Sequence, residues 1–321
     1  MIKDPSYLYL HKTKELKNRV QKVYEILKSC TLCPFECKVN RIKGELGICR
    51  SGSKAIVSSC SPHHGEEPML SGTKGSGTIF FSNCNLKCLF CQNYQISQEG
   101  LGNEVSDEQL ANMMIELQNK GCHNINLVSP THFVANILGA LEIANSKGLK
   151  IPIVYNSNGY ESLDTLKLFD GIIDIYLPDI KYSDNKTALR LSAAPNYVDF
   201  NRPAIKEMFR QVGDLVIDDN GIATKGMLVR MLVLPNDLNG SRDSLEFLSR
   251  ISKDMWISIM AQYNPCYKAI GDPEIGRKIT DEEYRQVLKW AKELELNNYL
   301  VQELESSDIF VPDFKSTDPF K

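Results

Sequence analysis

The spacing of apolar positions changes character along the chain. Over residues 7–28, Leu10, Leu16, Val20, Val23, Ile26 and Leu27 recur at roughly helical intervals and predict one amphipathic helix. A turn-rich stretch follows, and from Gly77 onward short apolar runs alternate with amphipathic segments. GTIFFS, NINLVS, IPIVYNS, IIDIYLPD, GMLVRMLVLP and WISIMAQY read as strands. Helices are expected over residues 107–120, opened by Ser106 with Gln109 in a capping-box arrangement, and over residues 133–147, closed by Gly148. Six strand–helix alternations imply a parallel sheet with crossover helices. The roughly 190 residues available fall short of the ~250 typical of an eight-unit barrel, so a partial (β/α)6 barrel of the TIM type is expected. A doubly wound open sheet is the alternative. Within this pattern, GDLVIDDNGIATKG predicts an inserted hairpin turning at Asn220 and Gly221. The expected division is 1–75 as helix and cysteine-rich segment, 76–270 as barrel, and 271–321 as a C-terminal helical extension.

Size and charge narrow the picture. At 321 residues the chain accommodates one barrel-sized domain with a smaller appendage. A formal net charge of -3 gives no electrostatic footprint for nucleic acid. No stretch approaches the ~20 apolar residues of a membrane-spanning helix, and MIKDPSYLYLHKTKEL places Lys3 and Asp4 before any apolar run. A cytoplasmic protein without nucleic-acid or membrane partners is the expectation.

The ten cysteines change the picture most, because they are clustered. Cys30, Cys33, Cys37 and Cys49 form one group and Cys84, Cys88 and Cys91 another, while Cys60, Cys122 and Cys266 stand apart. In a reducing compartment, clustered cysteines are more often metal ligands than disulfides. The second group occupies SNCNLKCLFCQN, directly after the first barrel strand, where the strand-end loops of such a barrel carry chemistry. Three thiolates at this spacing can converge on a cube-shaped iron–sulfur cluster that ordinarily takes four, which leaves one iron open. An open coordination position marks a catalytic metal rather than a structural one. A three-thiolate zinc site with water and unligated buried thiols are the plainer alternatives.

The C-x3-C-x2-C spacing, with Phe90 just before the third cysteine, resembles the signature of the radical S-adenosylmethionine enzymes. The longer run SGTKGSGTIFFSNCNLKCLFCQNYQISQ resembles the branch homologous to pyruvate formate-lyase activating enzymes. This resemblance implies a six-unit partial barrel, a [4Fe–4S] cluster on Cys84, Cys88 and Cys91, and S-adenosylmethionine chelating the open iron. It implies reductive cleavage to a 5′-deoxyadenosyl radical that abstracts hydrogen, with the electron drawn from a donor such as flavodoxin or ferredoxin. It also points to a glycyl radical enzyme as partner. Modification of another peptide or a small molecule, or a non-catalytic iron–sulfur or zinc redox protein, are the alternatives.

Matched strand by strand, the resemblance nominates further contacts with the cosubstrate. SPTHF supplies Ser129, Thr131 and His132 in place of the family's Gly-Gly-Glu-like stretch. YNSNGY supplies Asn156 and Ser157, LPDIKYSD supplies Asp179 and Lys181, and LVRMLVLP supplies Arg230, whose planar donor fork suits the methionyl carboxylate. Gln262 and Tyr263 end the sixth strand within reach of the adenosine, and Phe90 belongs to the cluster loop. Cys30-x2-Cys33-x3-Cys37-x11-Cys49 offers four ligands, a closed site for zinc or a second iron–sulfur cluster, with Pro34, Gly44 and Gly47 suited to tight turns. CSPHHGEEP brings Cys60, His63 and His64 together as either another metal knuckle or, more often for such a cluster, a surface loop. Cys122, Cys266 and His123 read as ordinary structural positions.

Overall fold

The computed structural model of the chain describes residues 5–304, 312–316 and 319–320, so Lys3, Asp4 and parts of the expected segments 1–75 and 271–321 lie outside the described residues. The strands are β1 (Ala55–His63), β2 (Ser76–Phe81), β3 (Asn103–Val105), β4 (Ile125–Val128), β5 (Ile153–Ser157), β6 (Ile175–Pro178), β7 (Val216–Ile217), β8 (Ala223–Leu232), β9 (Trp256–Met260) and β10 (Asn298–Val301). They form one sheet in the order β10-β9-β8-β6-β5-β4-β2-β1-β3, with β7 hanging on β8. From β2 to β10 every neighbouring pair is parallel, whereas β1 is antiparallel to both β2 and β3. The six strands expected from the apolar runs are β2, β4, β5, β6, β8 and β9, and they make the open (β/α)6 barrel. Strands β2, β4, β5 and β6 are buried at every position, as continuous apolar runs covered on both faces should be.

The crossover helices follow the sequence closely. Ser106 caps the helix Asp107–Asn119 by accepting from Gln109 N at 3.2 Å, and Gln109 Oε1 accepts in return from Ser106 N at 2.8 Å. The hairpin also forms: Asp218 accepts from the backbone N–H of Asn220 and Ile222, and Val216 and Ile217 pair antiparallel with β8.

Three elements depart from expectation. The helix expected over residues 7–28 is broken into Tyr7–Lys12 and Glu15–Ile26, because Lys14 adopts a left-handed conformation at φ +64°. β1 takes in Cys60 and His63, the stretch read as a knuckle or loop; Pro62 and the serines interrupt the alternation that announces a strand. Cys60 lies near Glu116, Lys120 and Cys122, while the His63 ring packs on Phe80, so these two residues do not share a ligand set. Finally, the segment after residue 271 holds the capped helix Asp281–Glu293 and also β10, which extends the parallel sheet beyond β9.

The short helix Pro68–Ser71 folds back from β1 into the barrel. Its Met69 and Leu70 pack with Val154, Ile175, Leu177 and Leu228 from the inner faces of β5, β6 and β8. That plug brings Glu66 and Glu67 inside the barrel, beneath the strand ends.

Candidate active site

The cysteine loop is stitched to the fold by its backbone. Ser82 N donates to Ile56 O at 2.9 Å on β1, and Asn83, at φ +65°, donates its N–H to Ile96 O at 2.8 Å. Lys87 N and Leu89 N donate to Ser192 O and Leu191 O, both at 2.8 Å, so the loop docks on the C-terminal end of the helix Asn185–Ser192. Each thiol then meets a donor. Cys84 Sγ accepts from Leu86 N and from Asn158 Nδ2, both at 3.4 Å; Ser192 Oγ donates to Cys88 Sγ at 3.0 Å; Cys91 Sγ and Ser97 Oγ lie 3.1 Å apart. Asn158 reaches Cys84 because the chain turns at Gly159, at φ +73°. A Cβ there would sit 2.3 Å from Asp179 O and 2.2 Å from Asn201 Nδ2.

Burial pushes the Cys84 thiol up and the Cys91 thiol up to about 12, with Cys88 adding to both. Three thiols that each meet an N–H or O–H donor, with Cys84 and Cys91 pushed toward the neutral form by burial, suit a metal cluster that would hold them as thiolates. Beside them opens a cavity of about 180 Å³ lined by Cys88, Cys91, Asp179, Lys181, Arg230 and Gln262. Lys181 Nζ lies 2.6 Å from Asp179 Oδ2 and Arg230 Nε 3.1 Å from Asp179 Oδ1. Burial alone would raise the Asp179 carboxyl, but Lys181 and Arg230 outweigh it and hold the group below its ordinary value. Arg230 also donates to Asn156 Oδ1, and its NH1 faces Glu66 Oε2 at 4.0 Å, so its fork is largely engaged within the chain.

The other nominated residues divide. Phe90 is buried in edge contact with Tyr263, their ring centroids 5.6 Å apart, at the wall of the cavity. Gln262 accepts at its carbonyl from Gln92 Nε2 and at Oε1 from Gln302 Nε2, both at 3.0 Å. Asn156 lies deeper, donating to Glu66 Oε2 at 3.2 Å. Ser129, Thr131, His132 and Ser157 do not line the cavity. Ser129 takes φ +59° at the end of β4, and the Ser157 hydroxyl accepts from Gly159 N at 3.2 Å. Thr131 donates to Glu161 Oε1 at 2.6 Å in the core, and His132 Nε2 meets Ser82 O at 3.0 Å.

Four thiols, Cys30, Cys33, Cys37 and Cys49, line a separate nook of about 10 Å³ together with Arg41 and His132. A Cβ on Gly47 would approach Cys37 Sγ to 2.8 Å, so any larger residue in this turn would displace the Cys37 side chain. Burial, and then the neighbouring Cys49, Cys30 and Cys37, push the Cys33 thiol well above its ordinary value. Arg41 is buried; it donates to Gly52 O and, from NH1, to His132 O at 2.7 Å, and it comes within 4.0 Å of Cys30 Sγ. Among the described residues no set of three or more His, Cys, Asp or Glu side chains is drawn together closely enough for a single metal ion.

Glu66, Glu67 and Asn158 were not singled out from the sequence. Glu66 and Glu67 stood in plain view in CSPHHGEEP, and Asn158 in YNSNGY, but only the fold brings them to the barrel interior and the cysteine loop.

This combination of an open parallel barrel with a three-cysteine loop at its mouth defines the class: the chain belongs to the radical S-adenosylmethionine superfamily, whose model matches residues 78–200. Its members use a [4Fe–4S] cluster, S-adenosylmethionine and a reductant. The chain is 33% identical over 289 residues to an uncharacterized protein of Methanocaldococcus jannaschii, an alignment covering 87% of this chain and 79% of that one. Among solved structures it is similar to methylornithine synthase (TM-score 0.45, 16% identity, 68% of this chain and 62% of that one). It is similar also to the FeFe-hydrogenase maturase HydG of Carboxydothermus hydrogenoformans (0.47, 13%, 70% and 53%). A domain of a pyruvate-formate lyase-activating enzyme from Bacteroides vulgatus is matched at 0.34, with 11% identity over 61% of this chain and 91% of that one. The chain thus spans less than two thirds of the first two of these structures. Among the described residues no helix is long and apolar enough to cross a membrane.

Proposed function

We propose that the protein reductively cleaves S-adenosylmethionine and directs the 5′-deoxyadenosyl radical to a hydrogen atom of a bound substrate, with Cys84, Cys88 and Cys91 holding the cluster. The observation that carries this reading is the gathering of those three thiols, each with its own donor, at the edge of a cavity walled by Asp179, Lys181 and Arg230. When bound, the cluster supplies the single electron that splits the sulfonium, fed by a donor such as flavodoxin or ferredoxin. The residues of the chain bind and orient. Asp179, kept ionised by Lys181 and Arg230, would accept from the cosubstrate's amino group, and Lys181 and Arg230 would donate to its carboxylate. Phe90 and Gln262 line the adenosine end. Ser129, Thr131, His132 and Ser157 act from behind, as supports for the strand ends.

The four-thiol nook is read as a second, closed site for zinc or a further iron–sulfur cluster. Buried Arg41, 4.0 Å from Cys30 Sγ, offsets part of the anionic charge that four thiolates carry. The division into 1–75, 76–270 and 271–321 belongs to this reading, with β1 of the first segment and β10 of the last joined to the barrel's sheet. Ten free cysteines support a reducing, cytoplasmic setting.

Anaerobically reconstituted protein given dithionite and S-adenosylmethionine is expected to release 5′-deoxyadenosine, and its reduced-cluster paramagnetic signal is expected to change when the cosubstrate is added. Absence of both would overturn the reading. Activation of a glycyl radical enzyme is the narrower reading, supported by the likeness of residues 71–98 to activating enzymes. It predicts a glycyl radical signal on a partner protein mixed with the reduced enzyme.

A further inference from the structure

We propose that the larger cavity inside the barrel is the substrate pocket, and that Glu66 and Glu67 receive an ammonium or guanidinium group carried on an apolar body. This deepens the proposed radical chemistry and rests on it. The cavity, about 490 Å³, lies in the gap between β1–β2 on one side and β9–β10 on the other, where a full barrel would carry further strands. It shares Gln92, Asn93, Arg230, Met260 and Gln262 with the smaller cavity beside the cysteines, so an occupant would lie directly next to the cosubstrate. Its volume is that of a pocket enclosing a small molecule. Phe80, Val128, Leu300 and Phe320 supply apolar wall, and the carboxylates stand at its floor.

The charges there do not balance. Arg230 is committed to Asp179 and Asn156, and Lys181 to Asp179. Glu66 is held by Asn126 Nδ2 at 3.1 Å and Asn156 Nδ2 at 3.2 Å, with Arg230 NH1 no closer than 4.0 Å. Glu67 is hydrogen-bonded by the Ser258 side chain, while its Oε2 is buried with no hydrogen-bond partner. Burial holds the His63 imidazole below its ordinary value, so it contributes no cation near neutrality. Burial, reinforced by Glu66, raises the Glu67 carboxyl to about 7. Burial pushes both carboxyls toward the proton-bound form, and a ligand cation seated against them would hold them ionised. An anionic substrate would instead meet Glu66 and Glu67, with Arg230 already shared between Asp179 and Asn156.

The test is equilibrium binding to the reconstituted protein of three probes sharing an aromatic body: 2-phenylethylamine, the neutral 2-phenylethanol and the anionic 3-phenylpropanoate. The amine is expected to bind at least about tenfold more tightly than the alcohol, the scale of one charge-assisted contact, and the carboxylate more weakly still. Glu67→Gln is expected to abolish the preference for the amine over the alcohol. If the amine binds no tighter than the alcohol, including the case where neither binds, the assignment is wrong. It is equally wrong if a folded Glu67→Gln chain keeps the preference. Release of 5′-deoxyadenosine by the unaltered chain with no probe present reports separately on the cleavage reading.

Discussion

The two cysteine clusters place the same side chain in opposite surroundings. Cys30, Cys33, Cys37 and Cys49 crowd a nook of about 10 Å³ in a segment of turns, shut in by Arg41 and His132. Cys88 and Cys91, with Cys84 close enough to interact electrostatically with both, border a cavity of about 180 Å³ that continues into one of about 490 Å³. In the reading proposed above, four thiols without space make a fastener, whereas three thiols beside open space leave room for something else to bind. Ligand count and free volume, read together, separate structural from reactive sulfur better than either alone.

The strongest way to break this contrast is to remove one cluster at a time. Replacing Cys84, Cys88 and Cys91 together by Ala is expected to reduce 5′-deoxyadenosine formation to background and to remove the [4Fe–4S] absorption, while metal in the four-cysteine site survives. Next in size, Cys33→Ala is expected to lower metal content by one site and open residues 30–75 to proteolysis, because this stretch has little apolar core of its own. Cleavage of S-adenosylmethionine should persist. Loss of cleavage with the Cys84 cluster intact would show that the fastener also takes part in the chemistry.

Arg230→Ala is expected to keep its iron while binding S-adenosylmethionine about tenfold or more weakly. The chain should also lose on the order of 3 kcal/mol of stability, since Asp179 and Glu66 are left short of a buried counter-charge. Isothermal titration and urea unfolding check the two effects separately.

The smallest effect concerns the hinge between the clusters. Tyr160 accepts at its carbonyl from Asn85 Nδ2 at 3.0 Å in the reactive loop, and its ring meets Phe35 of the four-cysteine segment with centroids 5.6 Å apart. The adjoining Glu161 is buried, which raises its carboxyl to about 7 against the pull of Thr131, Ser157 and Tyr155. The folded chain therefore holds this proton more tightly than the unfolded chain. The stabilisation is complete below pH 4.5 and is lost as pH rises through about 7, a fall on the order of 3 kcal/mol. Glu161→Gln should flatten that part of the pH profile, as measured by urea midpoints at pH 5 and pH 8.

What could be read from the sequence was what lies contiguous in it. The six parallel strands announced themselves as unbroken apolar runs, and the cysteine loop carries its spacing within eight positions. Asp179 and Arg230 were legible because topology sends every parallel strand to the same mouth. The broken N-terminal helix was not, since Lys14 gives no local warning of a left-handed turn. Nor was β1, whose Pro62 and serines disguise a strand with a bulge. Thr131 and His132 sit at a strand end by sequence, yet their side chains turn to Glu161 and Ser82, a choice made by long-range packing. Glu66 and Glu67 reach the interior only because Met69 and Leu70 prefer the barrel's apolar floor.

The position of β2 within the sheet has a consequence in time. Paired on one side with β1 and on the other with β4, and buried at all six positions, it carries amides that exchange with solvent only when the fold opens as a whole. The loop it carries hangs from the helix Asn185–Ser192 by the amides of Lys87 and Leu89, ties that a local fluctuation suffices to release. The amides of the loop are therefore expected to exchange with solvent well ahead of those of β2, so the cysteines can be exposed without the sheet coming apart.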